Sequence, residues 1–440
     1  MGLKHSASAE NTQKQAAYPW YVLAVLLAVY ALHHMDRQIV TLLMEPIKHE
    51  FALTDSQLGF LAGLCYAVAF AIGGIPLGLL VDRVHRVRLL AVLIAIWSGL
   101  TALCGIANGY LWLVLARIGV ATAESGATPT NLSILSDYFG PKRRATAVGV
   151  YTMGPHVGTV IGFAIAAVVA QAWGWRAAFL IAGLPGLLLM LLVLTTVREP
   201  LRGSAEDHAK VPVKNETAPS FGETLRLIAS QSAQRHAIAG IVLAMCVAAG
   251  LGAWQAPFLI RTFGVDLRAA GLSLAFAVAT AGAAGAWFGG WLAGRMGQGD
   301  TARIPKLTAF AIFMTIPAAL CAIFAGSFAQ AIAGFAVQNF FVAMTVSTGY
   351  GLCLSLSGPR TRGTTMALLQ VLSNVVGYGV GPQIVGLLSD HLPHAAHGGS
   401  LVYALALLNL ISVWAVLHLL IAARWTRGDL AKLAAAPPPA

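Results

Sequence analysis

Apolar residues in this chain gather into long runs; they do not alternate at the short period of a half-buried strand. Twelve runs stand out, at 18–41, 57–81, 88–107, 110–136, 144–170, 176–197, 237–260, 269–293, 305–325, 329–356, 363–388 and 400–423. Short stretches rich in Gly, Pro, Arg or Asn part them. A bilayer's hydrocarbon core, about 30 Å thick, takes about 20 apolar residues wound as a helix. Lipid offers no water to an unpaired backbone N–H or C=O, so each run predicts a helix and none an open strand. The pattern therefore predicts an all-α membrane protein with twelve transmembrane helices.

Composition agrees: 58% of the residues are hydrophobic and 10% are charged, where a soluble domain carries about 25% charge. The net charge of +11 raises nucleic acid as a partner, and the placement of the basic residues removes it. All but six of the 28 Lys and Arg residues lie in the termini or in loops on the same side as the termini. The six are Lys48, Arg176, Arg261 and Arg268 in the opposite loops, and Arg37 and Arg117 within runs. This is the positive-inside asymmetry, which predicts both termini in the cytoplasm. A multi-pass protein of a bacterial inner membrane is expected, with the bilayer as its partner, no nucleic acid, and a monomer as the working unit.

Cys65, Cys104, Cys246, Cys321 and Cys353 fall inside predicted helices at no metal-like spacing, so small core residues are expected, with neither a metal site nor a disulfide framework. The first 17 residues are polar, and no small-residue cleavage site follows the first run, so that run is expected to stay as a helix.

The longest polar stretch stands halfway along the chain and divides it into a cytoplasmic tail (1–17), an N-terminal six-helix bundle (18–197), a linker (198–236), a C-terminal six-helix bundle (237–423) and a second tail (424–440). A surface helix is expected around 221–229. Internal similarity supports the division. "GLLVDRVHR" (78–86) aligns with "GWLAGRMGQ" (290–298), and the Gly-xxx-Gly at 158/162 has a counterpart at 377/381. Two related halves predict a substrate site between them near the bilayer midplane.

"GLLVDRVHRVR" (78–88) resembles the loop signature of the major facilitator superfamily, with His85 where that pattern commonly has Gly. The likeness in length, helix count and duplication covers the whole chain and implies two pseudo-symmetric bundles in the major facilitator fold. Within it, "DRQIVTLLMEPIKHEFALTDSQLG" (36–59) and "ARIGVATAESGATPTNLSILSDYFGPKRRATAVGVY" (116–151) resemble the spinster-type branch, associated with lysolipid and sphingosine-phosphate transport. The resemblance implies a lysophospholipid or similar amphipathic substrate, moved by alternating access with the proton gradient as energy source and no cofactor. Two alternatives stand beside it: a small organic-anion (hexuronate or aromatic acid):proton symporter and an amphipathic drug exporter. "GPHVGTVIG" (154–162) partly resembles the superfamily's antiport motif, with Thr159 in place of a second Gly, and leaves the direction of proton movement open. No nucleophile–base motif of a hydrolase occurs, and no enzyme is expected.

Charges inside the runs are costly and mark pathways or partners. Asp36 and Arg37 stand in the first run, Arg117 and Glu124 in the fourth. A spacing of seven places Arg117 and Glu124 on one helix face, roughly 10 Å apart. Asp36 and Glu124 are the expected proton carriers, and Arg117 and Arg37 the expected switch or anion-binding cations. Burial and an approaching guanidinium act on a carboxyl's proton in opposite senses, so moving the arginine moves the proton. His33, His34 and His156 are candidate relays. Asp82 beside Arg83, Arg86 and Arg88 is a candidate cytoplasmic latch, held by charge-assisted bonds that differ between two states. Trp254, Gln255, Phe258, Phe340, Phe341, Gln370 and Asn374 are candidate lining of an apolar cavity. Glu45 and Glu50 fall in an outer loop and are expected to be solvated.

Overall fold

The computed structural model describes residues 2–205, 221–298, 300–358, 361–393 and 399–435. Residues 206–220 of the expected linker and 436–440 of the expected second tail lie outside them. The described residues form helices and no strands.

Ten helical stretches among them are long and apolar enough to cross a bilayer, and two local causes separate that count from twelve. The fourth run breaks at Ser125 and Gly126 into Tyr110–Glu124 and Ala127–Tyr138, each too short by itself. The fifth and sixth runs join in one stretch, Thr146–Thr196. Inside it Gly174 takes φ 83° and ψ 165° and turns the chain, a conformation that a Cβ disfavours. By crossings, helix 1 is Gly2–Leu42, helix 2 Asp55–Val81 and helix 3 Arg86–Cys104; helix 4 is the broken pair, and helices 5 and 6 flank Gly174. Helices 7 to 12 are Ser232–Phe263, Leu267–Gly297, Arg303–Ile323, Phe328–Leu356, Arg362–His391 and Ser400–Lys432. The expected surface helix is Phe221–Ser230, with Thr224 and Ile228 buried.

Two compact units emerge: Met1–Ile39 with Ala69–Lys214, and Val40–Val68 with Asn215–Ala440. The turn joining helices 1 and 2 thus belongs with the second unit. Each unit follows the same packing rule. A Cβ on Gly158 of helix 5 would stand 2.1 Å from the Ala31 carbonyl of helix 1, and one on Gly162 3.0 Å from the Met35 carbonyl. In the second unit a Cβ on Gly381 of helix 11 would stand 2.3 Å from the Cys246 carbonyl of helix 7, and one on Gly377 3.0 Å from Met245. The duplicated Gly-xxx-Gly therefore serves the same pair of helices in both halves. Without hydrophobic drive between helices in lipid, such close backbone approach is what packs them. Ile72, Ile75, Phe276 and Trp287 are about 70% exposed, as lipid-facing positions are.

Four of the five cysteines are buried and all are free; Cys321 is exposed on helix 9. That corrects the expectation of a core residue there: the apolar run predicts a helix but does not tell its lipid face from its protein face.

Candidate coupling site

In the first unit, helices 1 and 4 bring together the charges that the sequence singles out. Asp36 (1% exposed), Arg117 (1%), Glu124 (0%) and His33 (3%) are all buried. The Thr101 hydroxyl of helix 3 donates to Asp36 Oδ2 at 3.0 Å. Arg117 Nη1 donates to the backbone carbonyl of Asp36 at 3.4 Å. The other carboxylate oxygen, Asp36 Oδ1, has no hydrogen-bond partner among the described residues. Seven residues further along helix 4, Glu124 Oε2 lies 3.5 Å from His33 Nε2. The close approach of helix 5 at Gly158 and Gly162 presses directly on this stretch of helix 1, and Tyr30 stacks on Tyr151 with ring centroids 4.6 Å apart.

The remaining candidates divide. His33 faces Glu124, while His34 turns toward Tyr30, centroids 4.9 Å apart, as a 100° step between neighbours requires. Arg37 is half-buried and His156 is exposed. In the second unit, Trp254 Nε1 donates to the Pro382 carbonyl at 3.0 Å and Gln255 Nε2 to Gln338 Oε1 at 3.1 Å. Phe258 is fully buried against Phe335, and Phe340 and Phe341 pack on a small core around Met344. Gln370, which accepts from the Tyr350 hydroxyl at 3.1 Å, is exposed, and Asn374, half-buried, donates to the Gln370 carbonyl at 2.9 Å.

At the expected cytoplasmic end of the first unit the arrangement centres on Arg86, not on Asp82. Arg86 is 1% exposed. Its Nε donates to Glu199 at 2.6 Å, Nη1 to Asp137 at 2.5 Å and to Ser133, and Nη2 to the Pro200 carbonyl at 2.8 Å. Asp82 is 78% exposed and its ion-pair partner is Arg202, at 3.9 Å. Arg83 and Arg88 are exposed. His85, the position departing from the family pattern, caps helix 3 by accepting from the Arg88 N–H at 3.3 Å. An acid at the inner end of helix 4 and another after helix 6, both against the local basic trend, are the sequence signal for Arg86's partners.

A second buried charge cluster, missed in the sequence, lies in the second unit. Glu45 is 6% exposed, not solvated. Arg261 at the end of helix 7 donates through Nε to Glu45 at 2.8 Å and through Nη1 and Nη2 to Asp55 at 2.7 and 2.8 Å. Lys48 Nζ and the Ser389 hydroxyl also reach Asp55, at 2.5 and 2.6 Å. Local rules set this up: Ala52 at φ 50° ends the short helix Met44–Phe51, and Thr54 with Gln57 closes a capping box that starts helix 2 at Asp55. Asp390 accepts the Asp55 and Ser56 N–H groups at 2.9 and 2.8 Å. Glu50 is exposed, as expected. The available signal was Arg261 itself, a basic residue standing against the positive-inside trend.

Residues 26–382 match the Major Facilitator Superfamily profile. An MFS-type efflux pump of Mycolicibacterium smegmatis is 27% identical over 423 residues, spanning 93% of this chain and 94% of the relative. Human protein spinster homolog 1 is 25% identical over 390 residues, spanning 84% of this chain and 73% of the relative. Among solved structures, a bacterial homologue of the human lysosomal transporter spinster, inward-facing and unoccupied, superposes with a TM-score of 0.82 at 29% identity. That match covers 95% of this chain and 98% of the homologue.

Proposed function

Because this chain belongs to the Major Facilitator Superfamily, we propose that it is a proton-coupled carrier that moves a lysophospholipid or similar amphipathic lipid by alternating access. It is a membrane transporter and not an enzyme. The observation that carries the proton reading is the buried set on helices 1 and 4: a carboxyl held by one hydroxyl, with its second oxygen unmet among the described residues and a guanidinium on its own backbone carbonyl. Ionisable groups buried in a membrane helix cost several kcal/mol, which is why they mark pathways or partners.

In this reading Asp36 carries the coupling proton. Arg117, bonded to the Asp36 backbone carbonyl, is the switch: when the guanidinium swings onto the carboxylate the proton leaves, and when an anionic headgroup takes the guanidinium the carboxyl reloads. Glu124 and His33 form a second exchangeable pair. Arg37 is an accessory cation for the headgroup, and His34 and His156 are peripheral to the relay. Arg86, with Asp137 and Glu199, is the working part of the inner latch, and Asp82, Arg83 and Arg88 shape its rim. The face carrying Gln370 and Asn374 offers polar fixtures for a substrate in the second unit. Both termini lie in the cytoplasm of a bacterial inner membrane, by the basic-residue asymmetry.

The lipid reading draws its support from the near full-length likeness to a bacterial spinster homologue. A second reading, export of amphipathic drugs, is favoured by the equally long match to an efflux pump. Proteoliposomes offered a labelled lysophospholipid, a labelled hexuronate and a lipophilic dye separate these. Saturable flux of the lysophospholipid alone is expected; flux of the dye or the hexuronate alone would replace the lipid assignment.

A further inference from the structure

The second unit holds a basic cavity that the transport reading does not use. The start of helix 9 and the end of helix 12 enclose a cavity of ≈ 350 Å³ lined by Asp300, Arg303, Lys306, Arg424 and Arg427, room for about ten waters. Four cations meet one carboxylate there. Asp300 is already engaged: Arg427 Nε donates to its Oδ1 at 3.3 Å, Arg427 Nη2 to its Oδ2, and the Ala302 N–H to Oδ1 at 3.0 Å. These bonds hold the Asp300 carboxyl below the usual carboxylate range. Lys306 and Arg424 make no ion pair among the described residues, and Arg303 adds a third positive charge at the first turn of helix 9, where the helix dipole also favours an anion.

The apolar surroundings tell which anion fits. One turn along helix 9 from Lys306, Phe310 is 51% exposed; one turn back along helix 12 from Arg424, Leu420 is 44% exposed. Trp425, next to Arg424, is 51% exposed, and indoles favour the interface between headgroups and acyl chains. The cations thus stand one turn from exposed apolar positions on both helices. A free phosphate would use only the cations. We infer that this seam between helices 9 and 12 binds an anionic phospholipid, its phosphodiester between Arg303, Lys306 and Arg424 and its acyl chains along Phe310 and Leu420. The Arg427–Asp300 pair also lines the cavity.

The test uses the purified full chain, delipidated and then exposed to phosphatidylcholine bilayers with or without phosphatidylglycerol, with retained lipid read by native mass spectrometry. Wild type should retain one phosphatidylglycerol in preference to phosphatidylcholine. Lys306→Gln/Arg424→Gln should weaken retention by roughly 30-fold, two headgroup cations lost. Arg226→Gln/Arg235→Gln, the same charge change at exposed positions of the same unit, should retain it. The charge-conserving Lys306→Arg/Arg424→Lys should also retain it, which separates binding from misfolding. Equal loss in both neutralised variants would reduce the effect to diffuse surface charge and overturn the site. Displacement of the lipid by an equal concentration of soluble glycerol phosphate would assign a free phosphate in place of a lipid, and equal retention of phosphatidylcholine would overturn the anionic specificity.

Discussion

Two buried charge clusters, one in each unit, are built from the same residue types and satisfied to different degrees. In the second unit Asp55 receives bonds from Lys48, from both terminal nitrogens of Arg261 and from Ser389, while Glu45 takes the third guanidinium bond. In the first unit Asp36 receives one hydroxyl, keeps Oδ1 unmet among the described residues, and leaves the neighbouring guanidinium on a backbone carbonyl. A fully bonded charge group holds a geometry. An acceptor left over in a low-dielectric interior calls for a proton or a ligand, since buried polar atoms are otherwise bonded. The contrast supports the proposed division, with the Arg261 cluster holding and the Asp36 cluster switching.

The largest effect expected from breaking the contrast is on folding. Arg261→Gln leaves Glu45 without its guanidinium and Asp55 with Lys48 as its one cation beside the Ser389 hydroxyl, which should cost roughly 3 kcal/mol. Thermal unfolding in lipid discs would show it as a clear drop in midpoint. Arg117→Gln should lower the midpoint much less and abolish gradient-driven uptake. A greater loss of stability from Arg117→Gln than from Arg261→Gln would reverse the assignment.

A substitution at the helix 1 contact acts on switching through geometry. Gly158→Leu pushes a side chain into the Ala31 carbonyl and should reduce uptake at least tenfold by moving helix 5 off the Asp36 stretch. Gly149→Leu, where a Cβ meets nothing within 4 Å, should be tolerated. Equal uptake by both variants would detach helix 5 from the coupling site. The smallest change is Thr101→Val, which removes one hydrogen bond, about 1 kcal/mol. Uptake measured at several external pH values should fall by about fivefold with the melting midpoint shifted only slightly; a large melting shift would make Thr101 a structural residue.

Much of this was legible in the sequence. Run length and loop charge predict the crossings, and the scarcity of charge within runs isolates Asp36, Arg117 and Glu124. The constant offset of the Gly-xxx-Gly pairs foreshadows helix 5 on helix 1 and helix 11 on helix 7. What was not legible depends on residues far apart in the chain. Arg261 meets Glu45 and Asp55 across more than 200 positions, and each looks like an ordinary loop charge until the fold joins them. Asp82 and Arg86 share one loop motif, yet rotation at the His85 cap buries Arg86 against Asp137 and Glu199 and leaves Asp82 in solvent. The break at Ser125–Gly126 and the turn at Gly174 show the same limit at the scale of a helix, because an apolar run carries its length but not its interruptions.

The proposed coupling mechanism turns on the proton at Asp36. The direct test is accumulation of a labelled lysophospholipid in proteoliposomes under an imposed pH gradient, comparing wild type, Asp36→Asn and protein-free vesicles. Wild type should accumulate the label in a gradient-dependent way, and Asp36→Asn should lose that accumulation with gradient-independent exchange preserved. Accumulation by Asp36→Asn equal to wild type would contradict the mechanism.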